Sequence, residues 1–312
     1  MKHYPVLLKE IISNLNVKAD GIYVDGTLGR AGHTIEIAKL LNNGHLYSFD
    51  QDHQAIEEAK ELISLKKLQS KITIIHDNFV NIKANLKLLN IQKVDGFIFD
   101  LGVSSPQFDE DFRGFSYNKN ADLDMRMNLN SSLTAKNIIN NYSYEKLIEI
   151  FFNYGEEKFS KSIAKKIIEV REKKDINTTF DLVEIIKSSL PQKELKKQGH
   201  PAKKIFQALR IEVNNELEVL KNALNDCLTL LGIGGRILII TFHSLEDRIV
   251  KNIFKKMTTD PNFEINKKLP TINNYSSDFN VINKKPIVSS KKELEENRRS
   301  RSAKLRIIER VK

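Results

Sequence analysis

The chain has 312 residues and a formal net charge of +10 at pH 7, and it is long enough for a sizeable core and for two domains. No apolar run reaches the roughly 18–20 residues of a membrane span, the N-terminus lacks the apolar core of a signal peptide, and the single cysteine excludes an internal disulfide framework. We therefore expect a globular cytoplasmic protein that does not enter a membrane.

The positive charge is concentrated near the C-terminal end. Residues 284–312 contain eleven Lys or Arg and four Glu, a net charge of +7 in 29 residues. Such a concentration is typical of a surface that contacts phosphate groups. A charged tail that serves only solubility is the alternative.

The chain begins with an amphipathic pattern that predicts a short helix over Tyr4–Leu15. The stretch from Gly21 to Asp50 then predicts a buried strand, a glycine-rich turn, a helix and a second strand, which is the first half of a nucleotide-binding α/β unit. Glycine suits a turn that needs positive φ or the close approach of a ligand to the backbone. The glycines fall at intervals of three residues: Gly26, Gly29 and Gly32. This interval differs from G-x-G-x-x-G, so it favours a nucleoside over a pyrophosphate.

Acidic residues stand at the ends of both strands. Asp50 ends the second strand, where a carboxylate can accept hydrogen bonds from the ribose hydroxyls of an adenosine-like ligand. A solvated acid at a strand end is the alternative. Asp25 precedes the turn and either braces it or contacts an ammonium group, and spacing does not separate these two roles.

The alternation of helices and strands continues and predicts a parallel, doubly wound sheet. Its further elements are Gln54–Leu65, Ile72–His76, Ile82–Leu89 and Val94–Leu101. Ligands bind beyond the carboxyl ends of such strands, so Asp100 and the loop after it are expected beside the glycine turn. Phe79 falls on the same rim, where its ring either stacks on a base or packs against the sheet.

The loop Ser105–Phe108 combines a hydroxyl, a proline that exposes a carbonyl, and an aromatic ring. These groups suit an extruded base whose exocyclic amine attacks a methyl donor in line, because positioning carries most of the catalysis in such a transfer. Methylation at C5 of a pyrimidine would need a reactive thiolate, whereas Cys227 lies in an apolar helical run and is expected in the core. Nitrogen or oxygen methylation is therefore favoured over carbon methylation.

From Ser131 to Arg210 the pattern predicts only helices, and sheet elements resume with a helix over Asn214–Leu231 and a strand over Arg236–Phe242. We therefore divide the chain into residues 1–110, the first part of an α/β domain, residues 111–212, an inserted helical domain, and residues 213–312, the second part with the basic tail. Ser244 is predicted to cap the next helix with Asp247 as its partner. A final strand over Leu305–Ile308 is expected at the sheet edge.

Several motifs in order resemble the MraW family of bacterial 16S rRNA cytosine-N4 methyltransferases along essentially the whole chain. They include V-D-G-T-L-G-R-A-G-H, F-D-L-G-V-S-S-P-Q, R-G-F-S, L-D-M-R-M, Y-G-E-E-K-F, F-Q-A-L-R-I-E-V-N-N-E-L, T-F-H-S-L-E-D-R and R-S-x-x-L-R. The resemblance implies a Rossmann-like S-adenosylmethionine-dependent sheet with an inserted all-helical domain. It implies methylation of N4 of a decoding-centre cytidine, nucleotide 1402, of 16S rRNA within the small ribosomal subunit.

The resemblance also implies site residues, and no metal is among them. The expected contacts to S-adenosylmethionine are Ala31, Gly32, His33, Asp50, Phe79, Asp100 and Gln107. The residues expected to hold the target amine are Ser104, Ser105 and Pro106. The substrate candidates are Phe108, Arg113, Asp124, Arg126, His243, Arg298 and Arg301.

Three of these assignments carry alternatives. The family usually has a glycine at the position of Ala31, and a positive φ there would weaken donor binding. Arg113, Asp124 and Arg126 either organise the entrance for the cytidine or form an internal Arg–Asp pair that holds their loop. His243 contacts the substrate or its surroundings, or it is a loop histidine with a backbone partner.

Two other functions compete with methyl transfer. A nicotinamide-dependent oxidoreductase is disfavoured by the glycine interval and by the absence of its catalytic tetrad. A non-catalytic RNA-binding assembly factor would use the basic tail and the helical insertion alone. The presence of both Asp50 and Asp100 argues against it.

Overall fold

The computed structural model describes residues 5–102, 113–261 and 276–312. The predicted site residues Ser104, Ser105, Pro106, Gln107 and Phe108 lie outside the described residues. The described residues form two compact units. One contains the residues up to Gly102 together with those from Leu217 onward, and the other contains those between.

The first unit is built on a seven-stranded sheet. Its strands are β1 Ile22–Asp25, β2 His45–Asp50, β3 Ile72–His76, β4 Val94–Asp100, β5 Leu231–Thr241, β6 Phe279–Val281 and β7 Lys304–Arg310. The order across the sheet is β3-β2-β1-β4-β5-β7-β6, with β1 to β5 parallel and β7 antiparallel to both of its neighbours. The chain winds outward in opposite directions from β1 and β4, so the carboxyl ends of these two strands flank the position where such sheets bind ligands.

The helices follow in chain order. Before the second unit lie α1 Leu8–Leu15, α2 Gly32–Ala38, α3 His53–Leu65 and α4 Ile82–Leu88. The next six are α5 Ala135–Asn141, α6 Tyr144–Asn153, α7 Ser160–Arg171, α8 Thr179–Ser188, α9 Gln192–Leu195 and α10 Lys203–Asn214. The last are α11 Glu216–Leu230, α12 Ser244–Thr258 and α13 Lys291–Glu296. Among the helices described, none is long and apolar enough to cross a membrane.

Helices cover both faces of the sheet, and this explains why its central strands are apolar on both sides. Along β5, Leu238 and Ile240 pack with residues of α1, α2 and α3. The alternate residues Ile237 and Ile239 pack with α4, α11 and α12. Cys227 lies in this second layer and is fully buried, as predicted, and burial raises the pKa of its thiol.

The second unit has its own core, formed by apolar residues of its helices such as Ile138, Phe151, Ile163 and Leu209. Capping boxes start two of these helices: Thr134 with Asn137 at α5, and Thr178 with Asp181 at α8. The regular secondary structure described between 113 and 214 is helical. The predicted fold class, a Rossmann-like α/β sheet with an inserted helical domain, is confirmed.

Two predicted elements differ from the structure. The final strand does not lie at the sheet edge, because the short β6 pairs with its outer side. The helix predicted to begin at Asn214 begins at Glu216 instead, because Asn214 is the last residue of α10 and Asn215, with a φ of 49°, ends that helix in the left-handed region. The glycines after α11 belong to β5, which shifts register against β4 between Val94 and Gly96.

Candidate functional site

The turn between β1 and α2 needs its glycines for different reasons. Gly29 has a φ of +46°, which glycine adopts without strain. A Cβ at Gly26 would lie 2.2 Å from the Phe99 ring, and a Cβ at Gly32 would lie 2.5 Å from Cγ of Pro5. The protein itself therefore fills the space beside Gly26 and Gly32. We expected glycine here either for positive φ or for the close approach of a ligand, and positive φ is the reason that applies at Gly29.

Asp25 braces this turn. Its buried carboxylate accepts hydrogen bonds from the N–H of Thr27 at 3.0 Å and from the hydroxyl of Thr34 at 2.6 Å. Thr27 Oγ1 in turn accepts the N–H of Asp100 at 2.7 Å, which ties the end of β4 to the turn. Burial raises the pKa of Asp25. Of the two roles left open for Asp25, the structure shows the brace.

Asp50 is held by two backbone N–H groups. Its Oδ2 accepts from Gly29 and its Oδ1 from Asp52, both at 2.9 Å. Desolvation raises the pKa of Asp50 to about 6, although both hydrogen bonds favour the ionised form. The half-buried carboxylate is therefore oriented by the glycine turn rather than only solvated, and its oxygens retain lone pairs for a ligand.

Asp100 ends β4, the strand next to β1. Its Oδ1 is buried and has no hydrogen-bond partner among the described residues. Its Oδ2 lies 3.9 Å from Nδ1 of His33. Desolvation raises the pKa of Asp100 to about 8, and the negative charges of Asp25 and Glu246 add to this shift. Such an open carboxyl oxygen can accept a hydrogen bond from a ligand or pair with a cation.

His33 lies in the first turn of α2 and is almost fully buried. Its Nε2 is 2.9 Å from the carbonyl oxygen of Val6. Because a carbonyl only accepts, this nitrogen carries the hydrogen and Nδ1 faces Asp100. The ring thus joins the N-terminal segment to the glycine turn.

Ala31 has the backbone conformation that the sequence identified as unfavourable. Its φ is +56°, it is fully buried, and it precedes α2 without a side-chain cap. Its N–H donates to the carbonyl of Leu28 at 2.7 Å. An alanine in this region is strained because Cβ approaches the following carbonyl oxygen.

Phe79 packs edge-on against Phe99, with ring centroids 5.5 Å apart. It is half-buried and begins a short 3₁₀ turn, Phe79–Asn81, after β3. Packing at the rim is therefore present, and stacking on a base remains a prediction. Through the hydrogen bonds described above, the structure brings Gly29, Asp50, Asp100 and the ring of His33 to the carboxyl ends of the parallel strands.

His243 serves the start of α12. Its Nδ1 accepts the N–H of Glu246 at 3.4 Å, and its Nε2 lies 3.1 Å from Oε1 of the same residue. Oε2 of Glu246 accepts the N–H groups of Phe242 and His243. The predicted cap at Ser244 with Asp247 is wrong, because the capping box consists of His243 and Glu246. Asp247 instead binds Arg306 on β7, with Nε at 2.6 Å.

Glu246, Thr27 and Thr34 were not identified from the sequence. Glu246 is only 2% exposed, and its charge contributes to the raised pKa of Asp100. Thr27 and Glu246 lie inside the motifs V-D-G-T-L-G-R-A-G-H and T-F-H-S-L-E-D-R, and Thr34 directly follows the first of them, so these motifs were the available signal. Their partners become apparent only when the strand ends are brought together.

Comparison with known proteins identifies the family. The model of the MraW methylase family matches residues 1–311. The chain is 58% identical over 311 residues to ribosomal RNA small subunit methyltransferase H of Spiroplasma kunkelii, covering 100% of this chain and 99% of the relative. It is 55% identical over 309 residues to the protein of the same name from Mycoplasma mycoides, covering 99% of both chains.

The chain belongs to the MraW methylase family. Among solved structures, an rRNA methylase from Streptococcus thermophilus is 12% identical, with a TM-score of 0.45 and coverage of 100% of this chain and 99% of that one. A Streptococcus mutans methyltransferase in complex with SAH is 14% identical, with a TM-score of 0.46 and coverage of 99% of both chains.

Three MraW motif residues, Arg113, Asp124 and Arg126, hold one another in the second unit. Arg126 donates to both carboxylate oxygens of Asp124, at 2.6–3.1 Å, and to the carbonyls of Leu129 and Ser131. Arg113 is buried and donates to the carbonyls of Arg126 and Met127. Of the two roles left open, the internal pair is present, and a substrate contact remains a prediction.

The basic motif of this MraW protein forms an exposed turn. The 3₁₀ turn Arg298–Ser302 presents Arg298 and Arg301 to solvent, while Ser300 between them is buried. Ser300 anchors the turn, since its hydroxyl donates to Asn297 and its carbonyl accepts from the hydroxyl of Ser289. The arginine side chains are thus held outward on a fixed backbone.

Proposed function

We propose that this protein transfers a methyl group from S-adenosylmethionine to N4 of cytidine 1402 in small-subunit rRNA. The names of its full-length relatives support small-subunit rRNA as the substrate. The single observation that carries the proposal is the pair of half-buried carboxyl groups, Asp50 and Asp100, at the carboxyl ends of β2 and β4, the two strands that flank β1 in an MraW family sheet.

The donor side of the site is assigned to groups at the sheet edge. Asp50 accepts the ribose hydroxyls while Gly29 and Asp52 hold its carboxylate in place. Asp100 binds the ammonium group of the donor with its open Oδ1, because a desolvated carboxylate oxygen gains most from a cationic partner. Phe79 lies against the adenine. The bound donor supplies an electrophilic methyl group on sulfonium.

Gly32, Ala31 and His33 contribute to the donor site through the backbone at the start of α2. The N–H of Ala31 is already bonded to Leu28 and the ring of His33 to Val6. We therefore assign these residues the shaping of the turn. Gln107, which lies outside the described residues, keeps its predicted role as a contact to the donor.

The amine side of the site is assigned to the loop that follows β4. The lone pair of a cytosine amine is delocalised into the ring, so acceptors aimed at its hydrogens favour a pyramidal and nucleophilic nitrogen. Ser104, Ser105 and Pro106 keep this role, with Phe108 stacking the base. Arg113, Asp124, Arg126 and His243 keep their places as substrate candidates, acting through the loops that they brace.

The rRNA is assigned to residues 284–312, which we call the basic C-terminal arm. Exposed Arg298 and Arg301 would neutralise phosphates and release counterions on binding. We propose the small ribosomal subunit as the substrate, and this substrate supports a cytoplasmic location.

Labelled methyl transfer to small subunits that lack the modification tests the function. We expect one methyl group per subunit, located on N4 of the cytidine by mass mapping, and lower activity on free 16S rRNA. A product methylated at carbon, or none at all under conditions where the protein binds the subunit, would contradict the proposal. Calorimetry with S-adenosylmethionine and NAD separates the oxidoreductase alternative directly.

A further inference from the structure

The glycine turn is attached to the C-terminal arm through residues 5–7. On one side, the N–H of Leu7 donates to Oε1 of Glu293 in α13 at 2.7 Å, across 286 positions of sequence. On the other side, the carbonyl of Val6 accepts from Nε2 of His33 at 2.9 Å. Pro5 fills the space beside Gly32. We call residues 5–7 the N-terminal bridge.

The N-terminal bridge is held in a demanding conformation. Val6 is 6% exposed and Leu7 is fully buried. Leu7 has φ 53° and ψ 32°, a left-handed conformation that is unusual for a bulky residue with a Cβ. Such a conformation persists only where the surroundings enforce it. The hydrogen bond from the Leu7 N–H to the carboxylate of Glu293 is one of the contacts that hold Leu7 in this conformation.

Glu293 is well placed to hold the bridge. Ser290 caps α13 by accepting the N–H of Glu293 at 3.2 Å, which fixes the start of the side chain. The carboxylate is partly buried, and desolvation raises its pKa, with the nearby charges of Glu10 and Glu296 adding to the shift. Desolvation and the neighbouring negative charges raise the free energy of the ionised carboxylate. The hydrogen bond that it accepts from the Leu7 N–H offsets part of this cost.

We propose that Glu293 is a positioning residue for the donor site. By holding the Leu7 N–H it fixes the Val6 carbonyl, which orients the ring of His33 beside Asp100 and keeps the turn before α2 in place. The inference rests on the proposed function, since it takes the glycine turn and Asp100 as the donor site. It also connects the glycine turn, through the N-terminal bridge, to the C-terminal arm that carries Arg298 and Arg301.

Calorimetry with S-adenosylhomocysteine on the full-length chain tests this role. Glu293→Ala and Glu293→Asp both withdraw the acceptor from Leu7, and we expect each to weaken binding about three- to tenfold, or about 0.7–1.4 kcal/mol. Glu293→Gln keeps an oxygen acceptor at the same reach and should bind within about twofold of the parent. The matched control is Glu295→Ala, an exposed residue of the same helix.

Kinetics distinguish positioning from a general loss of stability. Positioning predicts a raised KM for S-adenosylmethionine with kcat and KM for the small subunit nearly unchanged. If Glu293→Asp is folded by circular dichroism and binds S-adenosylhomocysteine like the parent, the inference is overturned. Equal weakening by Glu293→Gln and Glu293→Ala would also overturn it. Failure of the parent itself to bind would instead contradict the proposed function.

Discussion

The carboxylate of Asp50 and the N–H of Gly29 form a 2.9 Å hydrogen bond that joins the end of β2 to the glycine turn. The proposed ribose acceptor and the glycine turn are therefore joined directly by a hydrogen bond. A change at either residue is expected to disturb both.

The first prediction concerns Asp50. In Asp50→Ala the ribose loses a charged acceptor and Gly29 loses its partner, so we expect a cost of roughly 1.5–3 kcal/mol, or about ten- to a hundredfold in affinity for S-adenosylmethionine. Calorimetry measures this directly, with exposed Glu61→Ala on α3 as the control. Unchanged affinity in Asp50→Ala would show that the ribose lies elsewhere.

The second prediction concerns the pH dependence caused by Asp100. Burial raises its pKa to about 8, so between about pH 4 and pH 8 the folded protein binds a proton that the unfolded chain does not. Stability contributed by this proton is present below pH 4 and is lost as the pH rises toward 8. Asp50, whose pKa is raised to about 6, adds to the loss between about pH 4 and 6.

Asp100→Asn removes the titrating group while keeping its size. We expect urea unfolding of the ligand-free parent to show falling stability from pH 6 to 8, and the variant to show a smaller fall. Parallel curves for the two proteins over this range would rule out a protonated Asp100. A bound cation lowers the pKa of a neighbouring acid, so S-adenosylmethionine binding at pH 7 should also release protons from the parent and not from the variant.

The third prediction concerns Ala31. Its left-handed φ costs an L-residue roughly 1–2 kcal/mol, while replacing alanine with glycine increases the entropy of the unfolded chain by about 0.4–1 kcal/mol. Ala31→Gly should therefore be neutral or stabilising by up to about 1.5 kcal/mol, and it should bind S-adenosylmethionine at least as tightly as the parent.

Ala38→Gly is the matched control for Ala31→Gly. Ala38 is also fully buried, but it lies within α2. Glycine inside a helix is expected to destabilise by about 1 kcal/mol. Thermal unfolding of both variants compares them, and a loss of stability in Ala31→Gly as large as that in Ala38→Gly would contradict the strain at Ala31.

The first four strands could be predicted from the sequence because buried parallel strands are short apolar runs separated by amphipathic helices. The prediction Ile72–His76 agrees with β3 at both ends. The three-residue β6 could not be predicted, since it lies in a polar segment and depends on pairing with β7. Fold class thus followed from local patterns, whereas the edge of the sheet depended on a distant partner.

The candidate site shows the same division. Strand order correctly placed Asp50 and Asp100 at the carboxyl ends of the parallel strands. The packing of Gly26 on Phe99 and of Gly32 on Pro5, however, is set by residues distant in sequence. His243 and Ser244 are both plausible helix caps, and buried Glu246 decides between them. Such choices depend on three-dimensional neighbours that spacing does not reveal.

The last prediction concerns the pair Arg126 and Asp124 in the second unit. The two side chains are about four-fifths buried and share three hydrogen bonds shorter than 3.2 Å, and Arg126 binds two further carbonyls. Truncating one partner leaves the other without its charge partner, so Arg126→Ala and Asp124→Ala should each destabilise the protein by about 1–3 kcal/mol. The double variant should cost less than the sum, because contacting residues couple by about 0.5–3 kcal/mol.

Urea unfolding of the four proteins in this cycle measures the coupling. Exposed Lys146 and Glu149, an ion pair at i and i+3 in α6, provide the control cycle, for which we expect about 0.3–0.5 kcal/mol. Because the proposed donor contacts other than Gln107 belong to the first unit, affinity for S-adenosylhomocysteine should be unchanged in every folded variant. Strictly additive effects at Arg126 and Asp124, together with lost rRNA methylation at full stability, would instead assign these residues to the substrate.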